Sequence, residues 1–235
     1  MNLLALDTST EIMSVAVQRA SAGVPEVWRH SGPGGAPTSA QLIPAIQRLM
    51  AQAGLRFSEL GAIAFGAGPG SFTGLRTACA VAQGLAFGAN VPVLPVDTLL
   101  SLAEEARARS AVDGERFEVL AMLDARMGEM YVGAYVFDAG RWTQQQDSRL
   151  ISPEDLLDDA QWTRAGNVFA VYGERLPPTA APCIAALPTA SALLRLAPAL
   201  LAAGAAVSAA QALPRYIRDK VAQTTLERAA QKAAL

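Results

Sequence analysis

A single histidine, His30, and two cysteines, Cys79 and Cys183, are all that this chain of 235 residues offers of the usual metal-binding and thiol chemistry. Few hydrolytic or metal-dependent mechanisms can be assembled from one imidazole. The cysteines stand far apart inside apolar segments, without zinc-like spacing, and read as reduced, buried thiols of a cytosolic protein. Charge is scarce as well. Charged residues make up 17% of the chain and the formal net charge is -2, so no global field draws it to nucleic acid or to a membrane surface. No charged-then-apolar leader pattern opens the sequence, and a strand begins almost at once. Two uncharged windows, 77–96 and 196–214, approach the length of a membrane span. Gln83, Asn90 and Pro92 interrupt the first; Pro198, Gly204, Ser208 and Gln211 interrupt the second, which is mostly alanine. Neither carries the hydrophobicity that insertion needs. The expectation is a soluble cytoplasmic protein with no membrane partner. Hydrophobic residues reach 51%, ample for a buried core in one or two domains.

What is present is glycine in one concentrated stretch, Phe65-Gly66-Ala67-Gly68-Pro69-Gly70-Ser71-Phe72-Thr73-Gly74-Leu75-Arg76. It joins the apolar run 62–65 to a long Ala/Val/Leu-rich run reaching Phe87, so a strand ends, the chain turns, and a helix begins near Ser71. Alternate glycines allow positive φ and let another group approach the backbone closely. Ser71 is the expected N-cap. Two readings follow: a phosphate cradle at the free amides of the helix start, or a turn built for tight packing. The stretch is neither a Walker loop, since no Gly-Lys-Ser/Thr follows, nor the dinucleotide fingerprint.

In chain order, 3–6 and 12–17 read as strands joined by Asp7-Thr8-Ser9-Thr10-Glu11, and 24–28 as a third strand. The segment 31–37 reads as a flexible loop. A helix capped by Thr38 or Ser39 runs to about Ala53, with Leu42, Ile46, Leu49 and Ala53 on one stripe and Ile43 and Met50 on a second. Gly54 ends it. The helix after the glycine stretch is apolar almost all round and must be covered on more than one side. With a strand at 91–96 this closes a β-β-β-α-β-α-β unit of about one hundred residues. Asp97-Thr98 caps a helix to about Arg109, Asp113-Gly114-Glu115 is a turn, and 119–123 and 130–137 are strands. Leu123-Asp124 with its polar turn echoes Leu6-Asp7, which suggests two related lobes, 1–100 and 101–235. Beyond Pro153 the pattern predicts a short helix at 154–158, a strand at 168–172, a proline-rich stretch at 176–188, a helix at 189–203 and a polar tail at 214–220.

Asp7 and Asp124 at strand ends fit either a hydrated metal over a phosphate or aspartates bonding their own turns. Ser71 and Thr73 have no evident base. Arg215, Arg218 and Lys220 suit RNA phosphates, or simply a solvated tail. The excess of apolar helix surface points to a partner.

Leu4-Ala5-Leu6-Asp7-Thr8-Ser9-Thr10, Gly68-Pro69-Gly70-Ser71-Phe72-Thr73-Gly74-Leu75-Arg76, Leu123-Asp124-Ala125-Arg126-Met127-Gly128-Glu129 and Pro214-Arg215-Tyr216 with Arg218-Asp219-Lys220 together resemble the bacterial TsaB (YeaZ) family. Order and spacing agree over essentially the whole chain. The resemblance implies an α/β protein of the actin-like (ASKHA) fold, two RNase H-like lobes of mixed sheet flanked by helices. It also implies a role in forming threonylcarbamoyladenosine beside the anticodon of tRNAs that read codons beginning with A. There it would be a non-catalytic subunit and paralogue of the transferase TsaD, which takes the threonylcarbamoyl group from threonylcarbamoyl-AMP. The implied partners are TsaD, the ATPase TsaE and, through the complex, tRNA, with a homodimer when TsaD is absent.

In the catalytic paralogue, histidines on the first long helix hold a metal. Here that region reads Thr38-Ser39-Ala40-Gln41-Leu42, and no histidine lies near it. The acid turn lacks the glycine of nucleotide-binding actin-like turns, so no bound cofactor is expected. The family's partner surface is the pair of N-terminal helices. The expected interface is therefore Leu42, Ile43, Ile46, Leu49 and Met50 with Leu75, Cys79, Ala82 and Ala86, packed as four helices. Charged substitutions at Ile46 and Ala82 are expected to abolish partner binding without unfolding the monomer. Two competing readings are a glycoprotease-like metallopeptidase, which needs metal ligands, and a stand-alone actin-like ATPase or kinase.

Overall fold

The computed structural model describes residues 1–110, 116–157 and 161–218. The expected turn at Asp113-Gly114-Glu115 lies outside them, as do Asp158, Asp219 and Lys220. Two five-stranded mixed sheets form the frame. The first uses β1 (Leu3–Asp7), β2 (Ile12–Arg19), β3 (Glu26–Pro33), β4 (Ala62–Gly68) and β5 (Val93–Asp97) in the order β3-β2-β1-β4-β5. The second uses β6 (Phe117–Asp124), β7 (Met130–Asp138), β8 (Arg141–Ile151), β9 (Thr163–Gly166) and β10 (Cys183–Ala185) in the order β10-β9-β6-β7-β8. Each is an antiparallel three-strand meander whose first strand also pairs in parallel with a later strand, which in turn pairs in parallel with the last. The echo between Asp7 and Asp124 is therefore structural: both end the central first strand of their sheet.

The helices α1 (Thr38–Ala53), α2 (Phe72–Ala89), α3 (Thr98–Arg109), α4 (Phe169–Tyr172) and α5 (Ala190–Ala202) cover the sheets. Alternation along β1 decides what packs where, since successive side chains point to opposite faces. Leu4 and Leu6 meet Leu42, Ile46 and Leu49 of α1 and Ala78, Cys79 and Ala82 of α2. Leu3 and Ala5 meet Ala190, Leu193 and Ala197 of α5. Meanwhile α3 carries Leu99, Leu102 and Ala106 onto Val119, Ala121 and Tyr135 of the second sheet. The helix that follows each sheet thus crosses to cover the other. A buried ionic cluster pins this crossing. Glu104 of α3, only 2% exposed, accepts from Arg107, from Arg195 of α5 at 2.7 Å and from Trp142 Nε1 of β8 at 3.0 Å.

Helix caps follow the sequence in part. The Ser71 hydroxyl accepts from Gly74 N, the Asp97 carboxylate from Leu100 N at 3.0 Å, and Thr189 from Ala192 N at 3.0 Å. Gly54 closes α1 at φ 64°. Neither Thr38 nor Ser39 caps α1; Pro37 occupies the N-cap position with no side-chain bond, and Thr38 is already helical.

Several expectations are corrected. The segment 31–33 continues β3, paired with residues 12–14 of β2, and is not loop. The segment 168–172 is helical, because the parallel strand beside β6 has already ended at Gly166. The short helix near 154 is a single 3₁₀ turn, Pro153–Asp155. The proline-rich stretch holds β10, and Cys183 on it is exposed rather than buried; Cys79 is buried. Among the described residues no helix is long and apolar enough to cross a membrane.

Candidate functional site

The glycine turn between β4 and α2 is filled by the chain's own acid turn. A Cβ on Gly70 would lie 2.6 Å from the Ser9 carbonyl oxygen. On Gly66 it would overlap the Asp7 carboxylate, and on Gly74 the Thr8 carbonyl. Backbone hydrogen bonds complete the junction: Ser71 N donates to Ser9 O at 2.7 Å, and Thr8 Oγ1 donates to Gly74 O at 2.6 Å. The first amide at the start of α2, that of Ser71, is therefore already donated. Of the two readings of the glycines, close packing is the one these contacts support.

The acid turns are occupied in the same way. Asp7 is fully buried; its Oδ1 accepts from Ser9 N at 2.9 Å and Ser9 Oγ at 2.6 Å, while Oδ2 has no hydrogen-bond partner and rests on Gly66. Burial pushes its pKa up to about 6 against the opposing pull of Ser9. Asp124 Oδ1 accepts from Arg126 N and from Tyr172 OH, both at 2.7 Å, and Oδ2 faces Arg126 Nη1 at 3.3 Å. Burial, then that bond to Asp124, pushes the Tyr172 phenol up to about 12. Both aspartates serve their own turns. Among the described residues no three His, Cys, Asp or Glu side chains group as metal ligands.

The Asp7 environment has a measurable consequence. Its folded pKa exceeds the unfolded value of 3.8, so the folded chain keeps a proton that the unfolded chain releases. Stability is therefore lost as pH rises from about 4 through 6, by up to about 3 kcal/mol. Asp7→Asn lacks this ionisation. Urea unfolding at pH 4 and pH 7 is expected to show the variant gaining on the parent chain across that interval; equal changes in both proteins would contradict the assignment.

Between the lobes lies a cleft of about 410 Å³, lined by Ser9, Thr10 and Glu11 on one side and Asp124, Arg126 and Asn167 on the other. Arg215, Tyr216, Ile217 and Arg218 run along its mouth. Its cations are each matched: Arg126 with Asp124 at 3.3 Å, Arg215 with Asp97 at 3.4 Å, Arg218 with Glu129 at 2.7 Å. Such a cleft has little net charge with which to attract a polyanion.

The structure separates the expected interface residues from the surface. Leu42, Ile46, Leu49, Met50, Leu75, Cys79, Ala82 and Ala86 are buried in the first lobe, and of the nine only Ile43, at 44% exposed, faces outward. The apolar stripes of α1 and α2 mark the faces turned to their own sheet. The expectation that charges at Ile46 and Ala82 spare the monomer is therefore corrected. Of the glycine-turn residues, Gly68 and Gly74 are buried and Gly70 is partly buried, while Ser71, Thr73 and Arg76 are exposed. The exposed residues of α2 are instead Thr73, Arg76, Ala80, Gly84, Phe87 and Gly88, and those of α1 include Ala40, Ile43, Pro44, Gln47, Arg48 and Ala51. Phe87 is 85% exposed, and a Cβ on Gly84 or Gly88 would meet nothing within 4 Å. Two helical glycines with open space around them cost about 1 kcal/mol each relative to alanine, and the chain's own packing does not require them. The apolar stripes drew the expected interface to the buried faces, because small residues give no amphipathic signal; the paired glycines beside an exposed phenylalanine are the sign that the sequence offers.

Two lobes of strand order 3-2-1-4-5, with central acid turns facing one cleft and helices exchanged between them, define an actin-like protein built from RNase H-like halves. The family model described as TsaD, tRNA N6-adenosine threonylcarbamoyltransferase, matches residues 36–226. The tRNA threonylcarbamoyladenosine biosynthesis protein TsaB of Haemophilus influenzae is 32% identical over 94% of this chain and 95% of its own. The protein of the same name from Escherichia coli K12 is 32% identical over 94% of this chain and 96% of its own. The solved structure of YeaZ from Pseudomonas aeruginosa is 40% identical, with a TM-score of 0.79 over 92% of this chain and 99% of that one. The chain belongs to the TsaB (YeaZ) branch of the TsaD family.

Proposed function

We propose that this chain is the non-catalytic, scaffolding subunit of the cytoplasmic machinery that makes threonylcarbamoyladenosine in tRNA. It binds a TsaD-type catalytic subunit through the outer faces of α1 and α2, self-associates by the same faces when that subunit is absent, and works with a TsaE-type ATPase. The observation that carries the reading is the state of the two acid turns: their carboxylates are bonded within their own turns or buried against Gly66, while an uncovered face of small residues and Phe87 lies on α2. Support from the first helix is chemical. The segment beginning at Thr38 offers hydroxyl and amide groups and no imidazole, a poor donor set for a transition metal. Glycines on one helix let a partner helix approach closely, and an exposed aromatic beside them is the kind of anchor that dominates interface energy.

Gly84→Leu and Phe87→Asp change only outward positions. Each is expected to weaken binding to the TsaD-type subunit at least about tenfold, or roughly 1.4 kcal/mol, with the melting curve of the isolated chain nearly unchanged. Cells depleted of this chain and complemented with either variant should be short of threonylcarbamoyladenosine by mass spectrometry of tRNA nucleosides. Undiminished co-purification of both variants would refute the face; an unchanged nucleoside level on depletion would refute the pathway.

A further inference from the structure

We infer that residues 212–218 are an interlobe strap that couples the start of α2 to the Asp124–Glu129 turn of the second lobe, making them one conformational unit. The strap is fastened at several points on the first lobe. Ala212 is fully buried in that core, and its carbonyl accepts from Gln83 Nε2 at 2.8 Å and from the Cys79 thiol at 3.4 Å. Arg215 N donates to Ala67 O at 2.7 Å, and the Arg215 carbonyl lies against Gly68, whose φ of 118° and missing side chain make room for it. The Tyr216 ring packs on Phe72 at 5.3 Å, and its hydroxyl accepts from Arg76 Nε at 3.1 Å. The Arg76 guanidinium itself lies 3.8 Å over the Phe72 ring. The next two residues cross to the other lobe. Ile217 joins the apolar cluster of the second sheet. Arg218, whose side chain is 12% exposed, donates to Glu129 Oε2 at 2.7 Å and to the Arg126 carbonyl at 3.3 Å.

The element held at that far end is one that needs holding. Arg126, Met127 and Gly128 have φ of 64°, 58° and 78° in succession, and the left-handed conformation disfavours the first two because of their Cβ atoms. The Ala125–Glu129 and Glu129–Arg126 backbone bonds close the turn, and Arg218 fastens it from outside. Midway, Arg215 meets Asp97, which also accepts from Tyr135 OH of β7 at 2.9 Å, so the strap joins a contact already spanning the lobes. Because Tyr216 and Arg218 are two residues apart on one anchored chain, releasing either end loosens the other. By linkage the effect is reciprocal. Whatever seats near Arg76 and Phe72 therefore biases the Arg126–Met127 turn at the cleft, whether or not α2 carries the partner proposed above.

Hydrogen exchange on the full chain tests this, because the test residues and the reporters lie on different lobes. Tyr216→Ala, which alters only the first-lobe end, is expected to speed exchange of the Ala125 and Glu129 amides about tenfold. Arg218→Ala is expected to speed exchange of the first turns of α2 similarly. The central strand β1 serves as a control and should stay protected in both. If Tyr216→Ala does not fold, Tyr216→Phe keeps the ring and removes only the Arg76 bond, and the same reporters are read. Acceleration confined to the lobe that carries the substitution would overturn the coupling.

Discussion

Ala82→Glu is expected to destabilise the folded chain severely, by about 5 kcal/mol or more. Ala82 is fully buried between α2 and the first sheet, in the cluster that also holds Leu6, Ile46, Ile63 and Phe65. An unpaired carboxylate there costs several kcal/mol even after its pKa adjusts, and its bulk overfills a site sized for a methyl group. A domain has about 5–15 kcal/mol in total, so a loss of roughly 5 kcal/mol or more consumes much of the margin. Ile46→Lys places an ammonium in the same cluster and is expected to behave alike. Ala80→Glu, on the same helix but exposed, should shift stability by less than about 0.5 kcal/mol. Soluble yield and thermal melting followed by circular dichroism decide the matter. If Ala82→Glu melted cooperatively within a few degrees of the parent chain, the buried face of α2 would be wrongly assigned, and the outward face with it.

That comparison shows why the fold was more legible in the sequence than the site. The 3.6-residue stripe of Leu42, Ile46, Leu49 and Ala53 and the apolar run before Gly66 report burial, and burial is what the hydrophobic effect selects. The first lobe followed from such patterns nearly strand for strand. In the second lobe the sequence pattern does not mark β8, Arg141–Ile151. Its Gln144-Gln145-Gln146-Asp147-Ser148 centre is exposed on a sheet edge, where one partner strand suffices and alternation is not enforced. At 168–172 the ambiguity runs the other way: the apolar spacing of so few residues suits a strand as well as the short helix that forms there, which leaves Val168 and Tyr172 buried. An apolar stripe does not say whether a core or a partner covers it. On α1 and α2 it was the core, and the surface left for a partner is the poorer in hydrophobic residues. The glycine motif posed the same ambiguity, since a backbone approached by a phosphate and a backbone approached by another turn both require a missing side chain.

Gly74→Ala should settle which of those two uses the glycine serves, and its sign is opposite to the usual helix rule. Within a helix, glycine to alanine ordinarily gains about 1 kcal/mol. At Gly74 the added methyl would overlap the Thr8 carbonyl, a backbone group rather than the far end of a flexible side chain. Relief requires the acid turn to move away from α2, which endangers the Thr8 Oγ1–Gly74 O and Ser71 N–Ser9 O bonds together. Overpacking of about 1–3 kcal/mol plus two hydrogen bonds of about 1 kcal/mol each outweighs the propensity gain, leaving a net loss of roughly 2–4 kcal/mol. Gly84→Ala in the same helix meets open space and is expected to stabilise by up to about 1 kcal/mol. Urea unfolding of the two variants gives the contrast directly. A phosphate cradle would leave Gly74→Ala stable and impair only anion binding, whereas a turn built for packing makes it the far less stable of the pair.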